Sequence, residues 1–278
     1  MQACISQVTT LPNPFADDVA AFADAGFQAM EVWFTKLETH LQSHSLEQTR
    51  SLLERRGMTL AAAAYQGGLL LSQGAERKTH YDHFRRRLDL CAGLRVPTVL
   101  VVADFATEVE ATALERAVVS LKQAAQWATG ANVRLALEFR GKAAFCSSLD
   151  TALALVAQCG ERNVGVNLDV FHYYTGPSKF EDLGLLTPAN LAFVQVCDVA
   201  GVPRELATDS DRIFPGDGEF HLAPIVQQLR QIGYTGYVSI ELLNPTLWNT
   251  QSSQVVELAR LALGRLLGSA GSGMACSL

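Results

Sequence analysis

Residues 134–171 read RLALEFRGKAAFCSSLDTALALVAQCGERNVGVNLDVF. RLALEF is a short apolar run that reads as a buried strand. Leu149–Cys159 reads as a helix and stops at Gly160. NVGVNLDVF is a second strand candidate, rich in valine and leucine. A strand, a helix and a second strand in succession form a unit whose strands run parallel.

The same rhythm extends in both directions. Upstream, Ala3–Val8, AMEVWF, LAAAAYQ and TVLVVAD read as strands. TVLVVAD is apolar without alternation, as expected of a strand covered on both faces. Helical stretches lie between these runs. One opens at Pro14, another runs from Ser45 to Arg56, with a serine at its start and two arginines before Gly57, and a third spans Arg77–Leu94. Leu114–Ala128 precedes the central unit. Downstream, LAFVQVCDV and YVSIEL are strands, Leu222–Ile232 is a helix, and Ser253–Leu267 is the last amphipathic helix. Strand candidates therefore fall near Ile5, Val32, Ala62, Val101, Leu137, Val166, Val194 and Ile240. Eight such units predict closure into a (β/α)8 TIM barrel, an α/β fold. An open doubly wound sheet is the competing topology. It would favour a glycine-rich turn after the first strand, and TTLPNPF has none. No Pro- or Gly-rich linker divides the chain, so residues 1–268 are read as one domain and SAGSGMACSL, residues 269–278, as a flexible tail.

The 278 residues are 49% hydrophobic and 18% charged, ample for a buried core. A formal net charge of -6 and no run of Lys and Arg argue against a nucleic-acid partner. No stretch approaches the ~20 apolar residues that span a bilayer, so no membrane is expected. MQACISQVTTLPNPF lacks a basic region followed by an apolar stretch, so no signal peptide is expected and the cytoplasm is the default. Six scattered cysteines without a C-x-x-C pair read as buried thiols. The apolar positions of the last helix, Val255, Leu258, Leu261, Leu263 and Leu266, suit packing on the barrel, with a second copy of the chain in a homo-oligomer as the alternative partner.

In such a barrel the active site lies at the C-terminal ends of the strands. Four polar residues sit late in apolar runs: Glu138 closes RLALE, Asp169 closes NVGVNLD, Gln195 lies in LAFVQ, and Glu241 closes YVSIE. Any one of them could be an acid paired with a Lys or Arg. Three carboxylates converging on one mouth would repel one another and are costly to bury unpaired, and a divalent cation answers both problems. Oxygen-only ligands favour Mg²⁺ or Mn²⁺ over Zn²⁺.

LALEF, NVGVNLDVFH, VQVCD, RIFPGDGEF and GYTGYVSIE together resemble the sugar phosphate isomerase/epimerase superfamily, the xylose isomerase-like TIM barrels. The resemblance covers nearly the whole chain and is strongest from Glu138 to Glu241. It implies one metal, most often Mn²⁺ with Mg²⁺ or Co²⁺ as alternatives, held on Glu138, Asp169, the position of Gln195, and Glu241. Many members have histidine where this chain has Gln195. Glutamine there also resembles the 3-dehydroshikimate dehydratase branch. That branch would carry basic residues near the third strand, and AAAAYQGGLL has none.

The resemblance further implies that His172 and Arg212 contact substrate. Arg204 is a second arginine candidate in the same loop. Trp33 on the second strand suits a sugar-stacking wall, although such a residue can equally be core. Asp198 reads either as support for a ligand or as an ordinary loop acid. His40/His44 and His80/His83 have metal-like spacings but fall in helical or loop segments away from the late strand ends. The implied activity is a metal-dependent isomerase or epimerase acting on a keto-sugar or related polyol through an enediolate, with Glu138 and Glu241 moving the proton. A metal-dependent dehydratase of a cyclic keto-polyol, such as an inosose or 3-dehydroshikimate, is the alternative. A non-catalytic sugar-binding barrel is a third reading.

Overall fold

The computed structural model describes residues 1–104 and 109–268. The tail, residues 269–278, and Cys276 within it lie outside the described residues. Eight strands close in sequence order: β1 (Gln2–Ser6), β2 (Ala29–Trp33), β3 (Thr59–Gln66), β4 (Thr98–Val102), β5 (Arg134–Glu138), β6 (Val164–Asp169), β7 (Leu191–Val196) and β8 (Tyr237–Ile240). Every pairing is parallel, and β8 returns to β1. This is the TIM barrel predicted from the alternating pattern.

The outer layer holds α1 (Phe15–Asp24), α2 (Phe34–His40), α3 (Leu46–Arg55), α4 (Gly74–Leu94), α5 (Ala113–Gly130), α6 (Leu149–Cys159), α7 (Val170–Thr175), α8 (Leu222–Gln231), α9 (Pro245–Trp248) and α10 (Ser252–Gly268). Two short helices escape the sequence pattern. Trp33 and Phe34 read as one strand, but α2 starts directly at Phe34. NVGVNLDVF reads as one strand, yet Asp169 ends it and caps α7 by accepting a hydrogen bond from the Phe171 amide at 2.8 Å.

Each strand sends alternate side chains to opposite sides. Outward-facing residues such as Ile5, Met30, Val32, Val99, Leu135 and Val166 join the main core between sheet and helices. Cys4, Ala29, Ala62, Leu100, Ala136 and Phe193 form a separate cluster inside the barrel. These are mostly small side chains, and Phe193 is the largest of the buried ones. Five cysteines, Cys4, Cys91, Cys146, Cys159 and Cys197, are buried free thiols. In α10, Val255 and Leu263 are buried, while Leu258 and Leu261 face outward at 48% and 57% exposure. Only part of the apolar stripe read from the sequence therefore packs on the barrel.

Local signals set the helix ends. Ser45 accepts from the Gln48 amide at 3.1 Å, and the Gln48 side chain accepts from the Ser45 amide at 2.8 Å, a reciprocal capping box on α3. Ser45→Ala is expected to lower stability by about 1 kcal/mol. A urea titration should show a lower midpoint with an unchanged slope. Among the described residues no helix is long and apolar enough to cross a membrane.

Candidate active site

The parallel register sets Glu138 beside Asn167, and Asp169 beside Gln195. Asn167 and Asp169 are two apart on β6, so both side chains point into the barrel. Gln195 confirms the inward direction. From β7 its Nε2 reaches Glu31 on β2, a strand that is not its neighbour, at 2.9 Å. The same nitrogen donates to Glu241 Oε1 at 2.8 Å. On the other side, Asn167 Nδ2 donates to Glu138 Oε2 at 3.0 Å and to Gln195 Oε1. One buried chain of hydrogen bonds thus links Glu138, Asn167, Gln195, Glu31 and Glu241.

Arg212, fully buried, is the positive charge within this group. Its Nη1 donates to Asp169 Oδ1 at 3.2 Å and to Glu241 Oε2 at 3.0 Å, and its Nη2 donates to Asp169 Oδ2 at 2.8 Å. Asp209 accepts from Nη2 at 2.7 Å, and the Phe171 ring lies under the guanidinium at 4.3 Å. His172 on α7 places Nε2 3.5 Å from Glu138 Oε1 and 3.7 Å from Asp169 Oδ2. That nitrogen is buried and has no hydrogen-bond partner.

Four carboxylates, Glu31, Glu138, Asp169 and Glu241, share this volume with one arginine. Burial pushes the Glu31 carboxyl up to about 8, and the charges of Glu138 and Asp169 add to the rise. Burial also pushes Glu241 well above the usual carboxylate range, against the pull of Arg212. The negative charge exceeds the positive charge that Arg212 supplies, so the site suits a further cation. Glu138, Asp169 and His172 bring ligand atoms within 4.8 Å of one another, all buried. With the Gln195 amide oxygen and Glu241 nearby, the donor set fits one divalent ion.

A cavity of about 610 Å³ opens beside β2, β3 and β4, lined among others by Trp33, Tyr65, Gln66, His80, His83 and Arg87. The Trp33 and Tyr65 rings stand 5.2 Å apart and form one wall. The sequence assigns His80 and His83 to a face away from the strand ends, but α4 folds back over β3 and brings both to this cavity. Arg87, also on α4, makes a two-point ion pair with Glu38 at 2.8 and 3.2 Å and donates to the Tyr65 carbonyl at 2.8 Å.

Glu138, Asp169, His172, Gln195, Arg212 and Glu241 are therefore brought together, and Trp33 faces the cavity. Arg204 is not brought to the site. Its side chain is 65% exposed and sits 3.4 Å from Glu205 in the surface part of the loop. Asp198 serves the loop itself, accepting from the backbone amides of Val199, Gly216 and Phe220, each at 2.9 Å. That anchor sets the course of the segment carrying Arg212. Asn167 was not singled out from sequence, yet its spacing of two from Asp169 was the signal that it shares the inward face.

Residues 19–262 match the family model for xylose isomerase-like TIM barrels. The chain belongs to that family. An inosose isomerase of Halalkalibacterium halodurans is 25% identical over 268 residues, covering 94% of each chain. A 3-dehydroshikimate dehydratase of Pseudomonas aeruginosa is 26% identical over 256 residues, 88% of this chain and 38% of the dehydratase. The chain thus spans well under half the length of that relative. Among solved structures, a crystal structure of the IolI protein with a bound zinc atom superposes with a TM-score of 0.92 at 22% identity, covering 97% of this chain and 99% of the other. This xylose isomerase-like barrel is an enzyme, and its site suits one divalent metal.

Proposed function

We propose that this barrel interconverts cyclic keto-polyols of the inosose class as a divalent-metal-dependent isomerase or epimerase. The observation that carries the reading is the convergence of two glutamates, Glu138 on β5 and Glu241 after β8, on one buried polar network at the barrel mouth. The named activity of the inosose isomerase relatives supports the substrate class. Glu138, Asp169, Gln195 and Glu241 would hold the ion through oxygen atoms, which favours Mn²⁺, and His172 stands close enough to Glu138 and Asp169 to add a nitrogen. When bound, the ion acts as a Lewis acid on the substrate carbonyl.

The chain's own residues supply the rest. One glutamate takes the proton from the carbon next to the carbonyl, giving an enediolate of the substrate, and the other returns a proton. Return to the opposite face of the same carbon is epimerisation. Return to the neighbouring carbon moves the carbonyl. His172 Nε2, unpartnered between Glu138 and Asp169, is placed to hold a substrate oxygen. Arg212 keeps Asp169 and Glu241 in place, and Trp33 with Tyr65 offers an apolar face to the polyol ring.

Dehydration is the second reading, favoured by Gln195 and by the basic side chains that α4 brings to β3. Against it, Glu38 already neutralises Arg87 through both of its oxygens. The test is incubation of metal-stripped protein in D₂O, with and without Mn²⁺, with inososes, ketohexoses and 3-dehydroshikimate, followed by NMR. Mn²⁺-dependent deuterium uptake next to a carbonyl with the carbon skeleton intact supports the isomerase reading. Loss of a hydroxyl moves the reading to the dehydratase. No exchange on any of them removes it in favour of a binding barrel.

Gln195 gives a separate prediction. Gln195→His replaces a hard oxygen with an imidazole, and it is expected to raise zinc affinity relative to manganese by roughly tenfold or more. Competition calorimetry with the two ions reads the ratio. An unchanged ratio would show that this side chain does not touch the metal.

A further inference from the structure

The buried acid on β2 has no part in the proton transfers above. Glu31 is fully buried, lies in the barrel interior, and contacts the site through one residue, Gln195. Its Oε1 accepts from Gln195 Nε2 at 2.9 Å, and its Oε2 is buried without a hydrogen-bond partner. The Ser6 and Ser239 hydroxyls, on β1 and β8, face the same carboxyl.

A glutamine amide has two ends of similar size, and only the oxygen can ligate a cation. A free Gln195 could turn either end toward the carboxylates of the site. The geometry points to Glu31 as the positioning residue that fixes the Gln195 amide with its nitrogen turned toward Glu31 and Glu241 and its oxygen turned toward Asn167, on the Glu138 side of the site. This inference rests on the reading of Gln195 as a metal ligand.

The argument is one of donors and acceptors. The end of Gln195 that lies between Glu31 and Glu241 is the NH₂, which donates one proton to each. Asn167 Nδ2 only donates, and it meets the opposite end, Oε1. Glu241 alone would leave one amide proton without an acceptor. Glu31 takes that proton and closes the set. Metal-bound histidines commonly donate their second ring N–H to a carboxylate that fixes their orientation. Glu31 does the equivalent for an amide. Its cost is a carboxylate in the barrel interior, a placement rarely tolerated without a partner.

The test is Mn²⁺ affinity, measured by calorimetry on the full chain for wild type, Glu31→Met, Glu31→Gln, Gln195→Ala and Glu31→Met/Gln195→Ala. Glu31→Met removes the acceptor at similar length and is expected to weaken Mn²⁺ binding roughly 10–100-fold. Glu31→Gln keeps an oxygen for the Gln195 N–H and is expected to stay within about threefold of wild type. The double variant is expected to match Gln195→Ala alone, because Glu31 acts only through Gln195. If Glu31→Met weakens binding equally with and without Gln195, the residue acts through its charge and the positioning role is overturned. A large loss in Glu31→Gln overturns it for the same reason. Full affinity in Glu31→Met overturns it outright. Unchanged affinity in Gln195→Ala instead removes the ligand reading underneath. Should Glu31→Met fail to fold, the side-chain NH₂ resonances of Gln195 in the wild-type metal-free protein decide: slow solvent exchange supports a locked amide, and rapid exchange overturns it.

Discussion

Replacing Glu138 with glutamine is expected to leave a folded barrel whose kcat/KM for the proposed inosose interconversion is lower by roughly 10³-fold or more. The side chain fills the same space, and its Oε2 partner, Asn167 Nδ2, can still donate to an amide oxygen. What the variant loses is a proton acceptor and a charged ligand beside His172 and Asp169. It also loses one of the charges crowding Glu31 and Glu241. The metal-free variant should therefore melt no lower than metal-free wild type. Circular dichroism melts, Mn²⁺ calorimetry and the NMR turnover assay check the three parts together. A Glu138→Gln protein with full turnover would falsify the catalytic assignment.

The largest stability effect is expected at Lys36, outside the site. Its Nζ, on α2, donates to the carbonyls of Gln7 and Thr10 at 3.1 and 2.7 Å and to Asp18 Oδ2 at 2.6 Å. Asp18, fully buried at the start of α1, also accepts from Gln7 Nε2 at 2.9 Å and Thr10 Oγ1 at 2.6 Å. This cluster ties the end of β1 to the first two helices. Lys36→Met removes the one cation paired with Asp18 among the described residues and leaves a buried acid facing polar donors alone. The expected cost near pH 7.5 is about 3–5 kcal/mol, or roughly 6–20 °C in melting temperature. The pH dependence gives the sign. Burial raises the Asp18 carboxyl from 3.8 to about 6 even with Lys36 pulling it down. A raised folded value means that Asp18 contributes most below the unfolded value and that this contribution is lost as pH rises through about 6. Removing Lys36 lifts the folded value further, so the variant's deficit should be smaller at pH 4.5 than at pH 7.5. An equal deficit at both pH values would mean that packing of the lysine stem, and not its charge, is what matters.

The barrel and the late-strand acids were legible because both follow from short-range pattern. Apolar runs such as RLALE and NVGVNLD announce strands, parallel order fixes which end faces the mouth, and the last polar residue of each run then points to the site. Glu138, Asp169, Gln195 and Glu241 come from that logic alone. Loops and helix packing carry no such periodicity. Arg212 and the second candidate, Arg204, share one loop whose course the sequence does not give: Asp198 pins it at Val199, Gly216 and Phe220, Arg212 turns into the carboxylates, and Arg204 stays at the surface. His80 and His83, with their metal-like spacing, read as lying away from the strand ends, because nothing local says that α4 leans over the end of β3. His172 could be named but not placed: the break from β6 to α7 depends on the Asp169 cap, which competes with the strand preference of Val170 and Phe171.

Arg212 has a practical meaning for work on this protein. Its guanidinium spans Asp169 and Glu241, so those acids keep a positive neighbour when the sample is treated with a chelator. A protein whose fold depends on its ion unravels under such treatment. This one carries a tethered counter-charge and should survive storage in EDTA and refill without refolding. Every incoming ion then competes with the same arginine, so a single stripped batch can rank metals against a common internal standard.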